Sequence, residues 1–319
     1  MKYYLAPMEG ITTYIYRNAY EHYFHNIDRY FTPFIVNKRM GNREKQDVLP
    51  EHNRGMDVVP QIMTNRAEDF LEVAKQLADY GYQTVNLNLG CPSGTVVAKK
   101  RGAGFLAQPE ELDAFLSEVY EKSPIRISIK SRIGLEEESE WERLMEIYQK
   151  YPVEELILHP RTQKDFYKAP PRLNAYAMAE QTFSFPLCYN GEIHSVEKMQ
   201  EITAQFPKTE RVMLGRGILK NPGLVQAIKY SRGELTDELP TQGTQKETLR
   251  GFHDEIYEGY REIMSGDRNT LYKMKELWSY MGQSFTNPEK YMKKIRKTER
   301  LTEYESIVAA LFREQELKT

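Results

Sequence analysis

The sequence predicts an α/β chain: a TIM barrel, (β/α)8, followed by a small all-helical domain. Three observations predict it. Eight short, β-prone apolar runs recur across the first two thirds of the chain, at residues 3–6, 30–36, 58–61, 84–89, 125–130, 155–159, 186–189 and 211–214. Most are followed by a longer amphipathic segment, the alternation of a parallel sheet with crossover helices. After residue 230 the strand signal stops, and the polar, turn-rich stretch "SRGELTDELPTQGTQKE" leads into helical patterns only. Eight strands in roughly 230 residues suit a closed barrel. An open doubly wound sheet is the alternative and usually has fewer parallel strands.

Taken in order, the strand starts lie roughly 25–31 residues apart, except between strands four and five, where the interval is about 40. The extra length lies in "LNLGCPSGTVVAKKRGAGFL", Leu87 to Leu106, an insertion of the kind that carries function on a regular scaffold. "AEDFLEVAKQLADYG" reads as a helix with Phe70, Leu71, Ala74, Leu77 and Ala78 on one side and Gly81 as its stop. "PEELDAFLSEVYEK" opens with Pro109 in a first helical turn, with acids close behind. Further helices are expected at 138–150, 173–181, 196–206 and 222–230. In the tail, segments 247–265, 269–281, 288–296 and 301–316 read as four amphipathic helices able to share a modest core. The expected organisation is therefore a catalytic barrel at 1–230, a linker at 231–246 and a helical domain at 247–319.

Composition narrows the class. The chain has 319 residues, 40% apolar and 28% charged, the balance of a globular protein. A formal net charge of −2 neither requires nor excludes a nucleic-acid partner, because local patches decide that. Two cysteines, Cys91 and Cys188, give no disulfide framework, and a reducing compartment is the simpler expectation. No basic leader with an apolar core and no run of membrane-spanning length is present, so the expected location is the cytoplasm. No cluster has metal-ligand spacing, so no metal is expected. No obligate protein partner is evident.

The strand ends carry the chemistry. In a barrel the C-terminal ends of the strands face the active site. Here they present Pro7 and Met8, then Asn37, Lys38 and Arg39, then Gln61, Asn86 and Asn88 with Cys91 beyond. Lys130 and Arg132, His159 and Arg161, Asn190, Gly191 and Glu192, and finally Gly215 and Arg216 follow. A barrel core needs none of these amide, amine, imidazole and thiol groups. Cys91 has two readings, a small buried hydrophobe or a reactive thiol at the mouth. Its place between Gly90 and Pro92 favours the second, whereas Cys188, inside strand seven, reads as structural. The loops "YNGEI" and "LGRGI" follow strands seven and eight, where barrel phosphate sites gather backbone N–H groups. Arg216 adds a charged donor there. Between Arg268 and Arg300 nine Lys/Arg face three acids, and Lys99, Lys100 and Arg101 sit in the long loop. Both regions suit an RNA backbone.

The pieces "LAPMEGIT", "VPQIM", "VNLNLGCPSGTVVAKKRGAGFL", "ISIKSRIG", "LILHPRT", "CYNGEI" and "VMLGRGILKNP" resemble the tRNA-dihydrouridine synthase family, bacterial type, in order from Leu5 to Pro222. The resemblance implies FMN at the barrel mouth, NADPH as hydride donor and a uridine of folded tRNA as substrate. It places Pro7 and Met8 against the isoalloxazine, Gln61 and Lys130 on its polar edge, and His159 beside the ring. Asn190, Gly191, Glu192, Gly215 and Arg216 would surround the ribityl phosphate, with Glu192 ordering its loop or reaching a ribityl hydroxyl. Asn88 would hold the target base, with Lys99 and Arg101 on the RNA. The helical tail matches the family's RNA-contacting domain only loosely.

The implied reaction, reduction of the uracil C5–C6 double bond, needs hydride at C6 and a proton at C5. Cys91 would be the general acid, and it must be protonated when it acts. Lys130 would stabilise negative charge on the reduced ring. Three positions depart from the family pattern: Pro160 stands where glycine is common, Leu89 where a smaller or different residue is found, and Glu276 where a basic or imidazole residue is usual. An FMN barrel reducing a small unsaturated substrate is the alternative function, and a non-catalytic RNA-binding barrel a third reading. The set Gln61, Asn88, Cys91, Lys130 and His159 speaks against the third.

Overall fold

The computed structural model describes residues 1–236 and 239–318. Positions 237 and 238 of the expected linker, and position 319 at the end of the expected helical domain, lie outside the described residues. Eight strands form: β1 (Lys2–Leu5), β2 (Arg29–Ile35), β3 (Val58–Ile62), β4 (Thr84–Leu89), β5 (Arg126–Arg132), β6 (Leu156–His159), β7 (Leu187–Tyr189) and β8 (Arg211–Leu214). They pair in parallel in chain order and β1 closes on β8. Each predicted strand is present, shifted by at most two residues at either end.

The helices are α1 (Tyr14–Phe24), α2 (Asn42–Val48), α3 (Ala67–Asp79), α4 (Gly94–Val97), α5 (Pro109–Lys122), α6 (Glu140–Tyr148), α7 (Leu173–Thr182), α8 (Val196–Gln205), α9 (Arg216–Lys220), α10 (Leu224–Ser231), α11 (Gln242–Ile263), α12 (Asp267–Met281), α13 (Glu289–Lys297) and α14 (Leu301–Glu314). Two compact units emerge. The first comprises Met1–Pro7, Asp28–Glu192 and Ile202–Leu214; the second comprises Met8–Ile27, Ile193–Glu201 and Gly215–Thr319.

The first unit contains the whole barrel. Tyr4, Ala6, Phe31, Val59, Ile157, Cys188 and Met213 fill its interior. Cys188 is fully buried there and packs as a small apolar side chain. At the N-terminal end, the buried Glu155 closes the barrel: Tyr4 OH donates to Oε1 at 2.9 Å, and Arg211 Nε lies 3.0 Å from the same oxygen. Burial pushes the Glu155 carboxyl up, and the Tyr4 hydrogen bond with Arg29 and Arg211 pulls it partly back. In β2, Pro33 cannot donate to the ladder, and the β2–β3 register shifts between Phe31 and Phe34. Thr32 Oγ1 takes up the Gln61 N–H at 3.1 Å, which fixes the strand that carries Gln61. On α3 the buried stripe is Phe70, Val73, Ala74 and Leu77, with Leu71 and Ala78 at its margin. Gly81 ends the helix at φ +92, and the Tyr82 N–H returns to the Leu77 carbonyl at 3.1 Å.

The second unit is helical. Tyr16 and Phe24 of α1 each pack edge-on to Phe252 of α11, with centroids 5.3 Å apart. Helix α1 was not anticipated from sequence. Its tyrosine-rich "YIYRNAYEHYF" has modest helix propensity, and burial of Ile15, Tyr16, Ala19 and Tyr20 stabilises it. A second aromatic group joins His253, Trp278, Tyr304 and Phe312. Helix α11 begins at Gln242, so the last residues of the expected linker are helical. Thr241 caps it by accepting the Thr244 N–H at 3.3 Å, a local signal that the polar, glycine-containing sequence masked.

Candidate active site

Strand periodicity builds the site. Side chains two residues apart on a strand share a face. Gln61 follows the inward-facing Val59 by two residues, His159 follows Ile157, and Asn190 follows Cys188. The same phase carries Asn86 and Asn88 on β4 and Ser128 and Lys130 on β5, which pair as Asn86↔Ser128 and Asn88↔Lys130. These polar groups therefore line the barrel interior at its C-terminal end.

They form one directed hydrogen-bond chain. Ser128 Oγ donates to the Val85 carbonyl at 3.3 Å and accepts from Asn86 Nδ2 at 2.9 Å. Asn86 Oδ1 accepts from Gln61 Nε2 at 2.8 Å, and Gln61 Oε1 accepts from Asn88 Nδ2 at 2.7 Å. Asn88 Oδ1 then accepts the backbone N–H groups of Gly90 and Cys91, each at 3.0 Å. Each amide orientation is fixed by the next, from one main chain to another. Gln61 Nε2 and Asn88 Nδ2 each retain a second N–H for a ligand.

Cys91 is half-buried. The insertion folds back on it: Ala103 N donates to the Cys91 carbonyl at 3.1 Å. Gly102 makes this possible. It sits at φ +54, and a Cβ there would stand 3.0 Å from the Cβ and carbonyl oxygen of Cys91. Lys99 is exposed and Arg101 half-buried on the same insertion.

Lys130 is brought down to about 8, first by burial and then by the Arg132 guanidinium on the same strand. Among the described residues it makes no hydrogen bond. Arg132, fully buried, binds three main-chain carbonyls: Nε to Gly90 at 3.0 Å, Nη1 to Thr162 at 2.7 Å, and Nη1 and Nη2 to Phe166 at 3.2 Å, with the Tyr167 side chain also against its guanidinium. It joins the cysteine loop to the loop after β6. Gln163 Nε2 adds a second tie, to the Pro92 carbonyl at 2.9 Å.

His159 is buried and contacts Arg161 Nη1 through Nε2 at 3.2 Å. Pro160 between them is accommodated by a three-residue turn in which Arg161 N reaches the His159 carbonyl at 2.7 Å, a geometry that its fixed φ suits. Arg161 Nη2 lies 3.0 Å from Glu192 Oε1, near enough for an ion pair but outside hydrogen-bond alignment. Glu192, in the loop after β7, is thereby tied to the loop after β6. Asn190 Nδ2 donates to the Met213 carbonyl at 2.9 Å. Tyr189 OH is buried without a hydrogen-bond partner among the described residues and occupies the space a Cβ on Gly191 would need, 2.1 Å away.

The barrel unit thus brings together Gln61, Asn88, Cys91, Lys130, His159, Asn190, Gly191 and Glu192, with Pro7 at the end of β1. Met8, Gly215 and Arg216 belong to the second unit. There Met8 N donates to Thr12 Oγ1 at 2.8 Å, and Gly215 opens α9 with Arg216 as its first residue. In the same unit Glu276 lies against Gly10, whose φ is +79, and Lys273 Nζ donates to the Gly10 carbonyl at 2.7 Å. Helix α13 buries Tyr291 and Ile295, one turn apart, and exposes Lys290, Lys293, Lys294, Arg296 and Lys297. Among the described residues no group of three or more His, Cys, Asp or Glu could hold a metal, and no helix is long and apolar enough to cross a membrane.

Asn86, Arg132 and Arg161 stand among the polar strand ends read from the sequence, which assigns them no role, and Tyr189 was not singled out. For Arg132 the available signal was its phase, two residues beyond Lys130 on the same face.

The dihydrouridine synthase (Dus) family model matches residues 4–316. The tRNA-dihydrouridine(16) synthase of Yersinia pestis is 30% identical over 247 residues, covering 74% of this chain and 78% of its own length. That of Vibrio parahaemolyticus is 26% identical over 321 residues, covering 93% and 92%. The tRNA-dihydrouridine synthase B of Pasteurella multocida is 24% identical over 229 residues, covering 71% and 68%. Among solved structures, morphinone reductase shares the barrel fold, with a TM-score of 0.51 at 13% identity over 75% of this chain and 88% of that one. By a match spanning nearly its whole length and a relative at 30% identity, the chain belongs to the dihydrouridine synthase family of FMN-dependent oxidoreductases.

Proposed function

We propose that this protein reduces the C5–C6 double bond of uridines in tRNA, with FMN as bound cofactor and NADPH as reductant. The observation that carries the reading is the junction of Asn88 and Cys91 beside Lys130: a thiol loop held by an amide that still has a donor to offer, next to a buried amine that makes no hydrogen bond among the described residues.

The donor set fits a flavin. Gln61 Nε2 and Lys130 Nζ are available donors, matching the carbonyl- and nitrogen-rich edge of an isoalloxazine. Tyr189 OH, buried beside Gly191 and without a hydrogen bond among the described residues, matches a phosphate or hydroxyl oxygen. Pro7, His159, Asn190, Gly191 and Glu192 complete the barrel's share. The assignment of Met8, Gly215 and Arg216 to the same cofactor rests on the resemblance. The bound flavin would supply the hydride. Asn88 would orient the uracil with its remaining N–H, Cys91 Sγ would deliver the proton to C5, and Lys99 and Arg101 would meet the RNA near the cysteine. In the proposed division, residues 1–230 do the chemistry and 247–319 bind the tRNA.

The test is an anaerobic spectrum. Protein loaded with FMN should bleach on NADPH addition and recover its colour when unmodified tRNA is added. Recovery with a small enone but not with tRNA would replace this reading with that of a small-molecule reductase.

A further inference from the structure

The loop after β6 carries a feature that burial does not explain. Phe166 and Tyr167 are 41% and 42% exposed, the one sequence-adjacent pair of exposed large apolar residues among those described. A single exposed apolar side chain is unremarkable. Phe166, however, also adopts φ +46, a left-handed conformation that bulky side chains avoid. Strain of this kind persists only where the surroundings impose it.

The imposing group is Arg132. Its Nη1 and Nη2 hold the Phe166 carbonyl at 3.2 Å, and its Nε holds the carbonyl of Gly90, the residue before Cys91, at 3.0 Å. One buried, planar guanidinium therefore couples the position of Phe166 to that of the cysteine. The neighbours suit a nucleic acid. Tyr167 lies with its ring 6.0 Å from that of His159 and 5.5 Å from the Arg132 guanidinium carbon. Lys168 is exposed beside it, and Lys164 is exposed and 3.2 Å from Glu136.

We infer that Phe166 is a stacking residue for an unpaired nucleobase adjacent to the one presented to Cys91, and so a determinant of which RNA segment the enzyme accepts. This rests on the proposed function. A base to be reduced must leave its stack, which unpairs its surroundings as well. An exposed ring offers a neighbouring base a new face, and such stacking tolerates any base identity. Lys168 supplies a cation for the adjoining phosphate.

The test compares Phe166→Ala, Phe166→Leu, Phe166→Trp and Phe166→Gly as FMN-loaded proteins. Oxidation of the reduced flavin is followed against the concentration of unmodified tRNA, and tRNA binding is titrated at several salt concentrations. The Ala, Leu and Gly variants should raise KM for tRNA by about tenfold, the size of one missing stack, with kcat little changed. The Trp variant should keep a wild-type KM. The salt slope of binding should not move, because every cation that meets a phosphate is still in place. The Gly variant should melt no lower than wild type, because it relieves the positive φ. An unchanged KM in the Ala and Gly variants, or full retention by Leu, overturns the inference, as does a Gly variant that melts lower while its tRNA affinity stays intact. If wild-type protein is not oxidised by tRNA at all, the proposed function falls and takes this inference with it. Normal wild-type turnover with unaffected variants sinks the inference alone.

Discussion

Asn88 Oδ1 accepts the Cys91 N–H and the Gly90 N–H, both at 3.0 Å, while its Nδ2 donates to Gln61 Oε1 at 2.7 Å. One amide thus orients the cysteine loop and Gln61, the glutamine proposed to meet the flavin, together. Asn88→Ala leaves two buried or half-buried N–H groups without an acceptor, at roughly 1–3 kcal/mol for each such group. Urea unfolding should show a loss in that range. Asn88→Asp still accepts both N–H groups and should recover much of the stability, but it cannot donate to Gln61. Equal destabilisation by both substitutions would remove the amide from its place as organiser of the loop.

Cys91→Ala should bind FMN as wild type does, because the hydrogen bonds that hold the loop at this position run through the backbone N–H to Asn88 and the backbone carbonyl to Ala103, which alanine keeps. Product formation on tRNA should fall by two or more orders of magnitude, the usual contribution of a positioned general acid. Reduction by NADPH should be unaffected. Colourless Cys91→Ala protein would mean that the thiol supports the cofactor pocket rather than the proton transfer.

Lys130 gives a pH dependence with a definite sign. Its folded-state pKa, about 8, lies below the value of about 10.4 for an unfolded lysine. Below pH 8 the folded apoprotein carries a buried charge, at a cost of roughly 3 kcal/mol. The cost is relieved as pH rises from 8 towards 10.4, so apoprotein stability should climb over that window, and Lys130→Met should flatten the climb. FMN binding works in the opposite direction. An electron-rich ring edge favours the ammonium, so affinity should be level below pH 8 and weaken above it. Fluorescence titration of FMN from pH 6.5 to 9.5 reads this directly, and a flat profile would separate Lys130 from the cofactor.

The exposed basic face of α13 predicts a salt effect. Lys293, Lys294 and Lys297 project outward while Tyr291 and Ile295 anchor the helix. Replacing the three lysines with alanine should weaken tRNA binding and reduce the slope of log affinity against log salt by up to about 2.7, close to 0.9 for each phosphate no longer neutralised. A slope equal to wild type moves the RNA surface to another face.

Much of this was legible in the sequence because it follows from period and phase. The β-prone runs gave the eight strands, and polar residues at their ends, in phase with Val59, Ile157 and Cys188, marked the mouth. Arg132 and Arg161 were harder to read. Each serves groups brought together only by the barrel, and Arg132 binds the main-chain carbonyls of Gly90, Thr162 and Phe166, which have no sequence signature. Asn86 is legible as a polar strand end, but its place between Gln61 and Ser128 follows only from strand pairing. The left-handed backbone of Phe166 follows from the tie to Arg132 and contradicts local preference. Helix α1 escaped notice because packing against α11 stabilises it more than its own residues do.

His253 supplies the last prediction, in the helical unit. Its ring is buried, with Nδ1 2.7 Å from Asp254 Oδ1 and Nε2 2.6 Å from Tyr304 OH, and Trp278 Nε1 donates to the same hydroxyl at 2.7 Å. Burial holds the imidazole below its ordinary value, against the pull of Asp254, while the nearby Arg250 pushes the same way as burial. The hydroxyl proton of Tyr304 can then go to Nε2, with Nδ1–H donated to Asp254, so the neutral ring satisfies every partner. The unfolded histidine takes a proton near pH 6.5, before the folded one does, so stability is fully present above that pH and is lost as pH falls below it. Thermal melts should therefore drop between pH 6.5 and 5. His253→Asn should melt lower than wild type at neutral pH, because it shortens the bridge between Asp254 and Tyr304, and should show less of the acid-dependent loss. A wild-type melting temperature that does not change across that interval would mean that His253 titrates alike in the folded and unfolded chain.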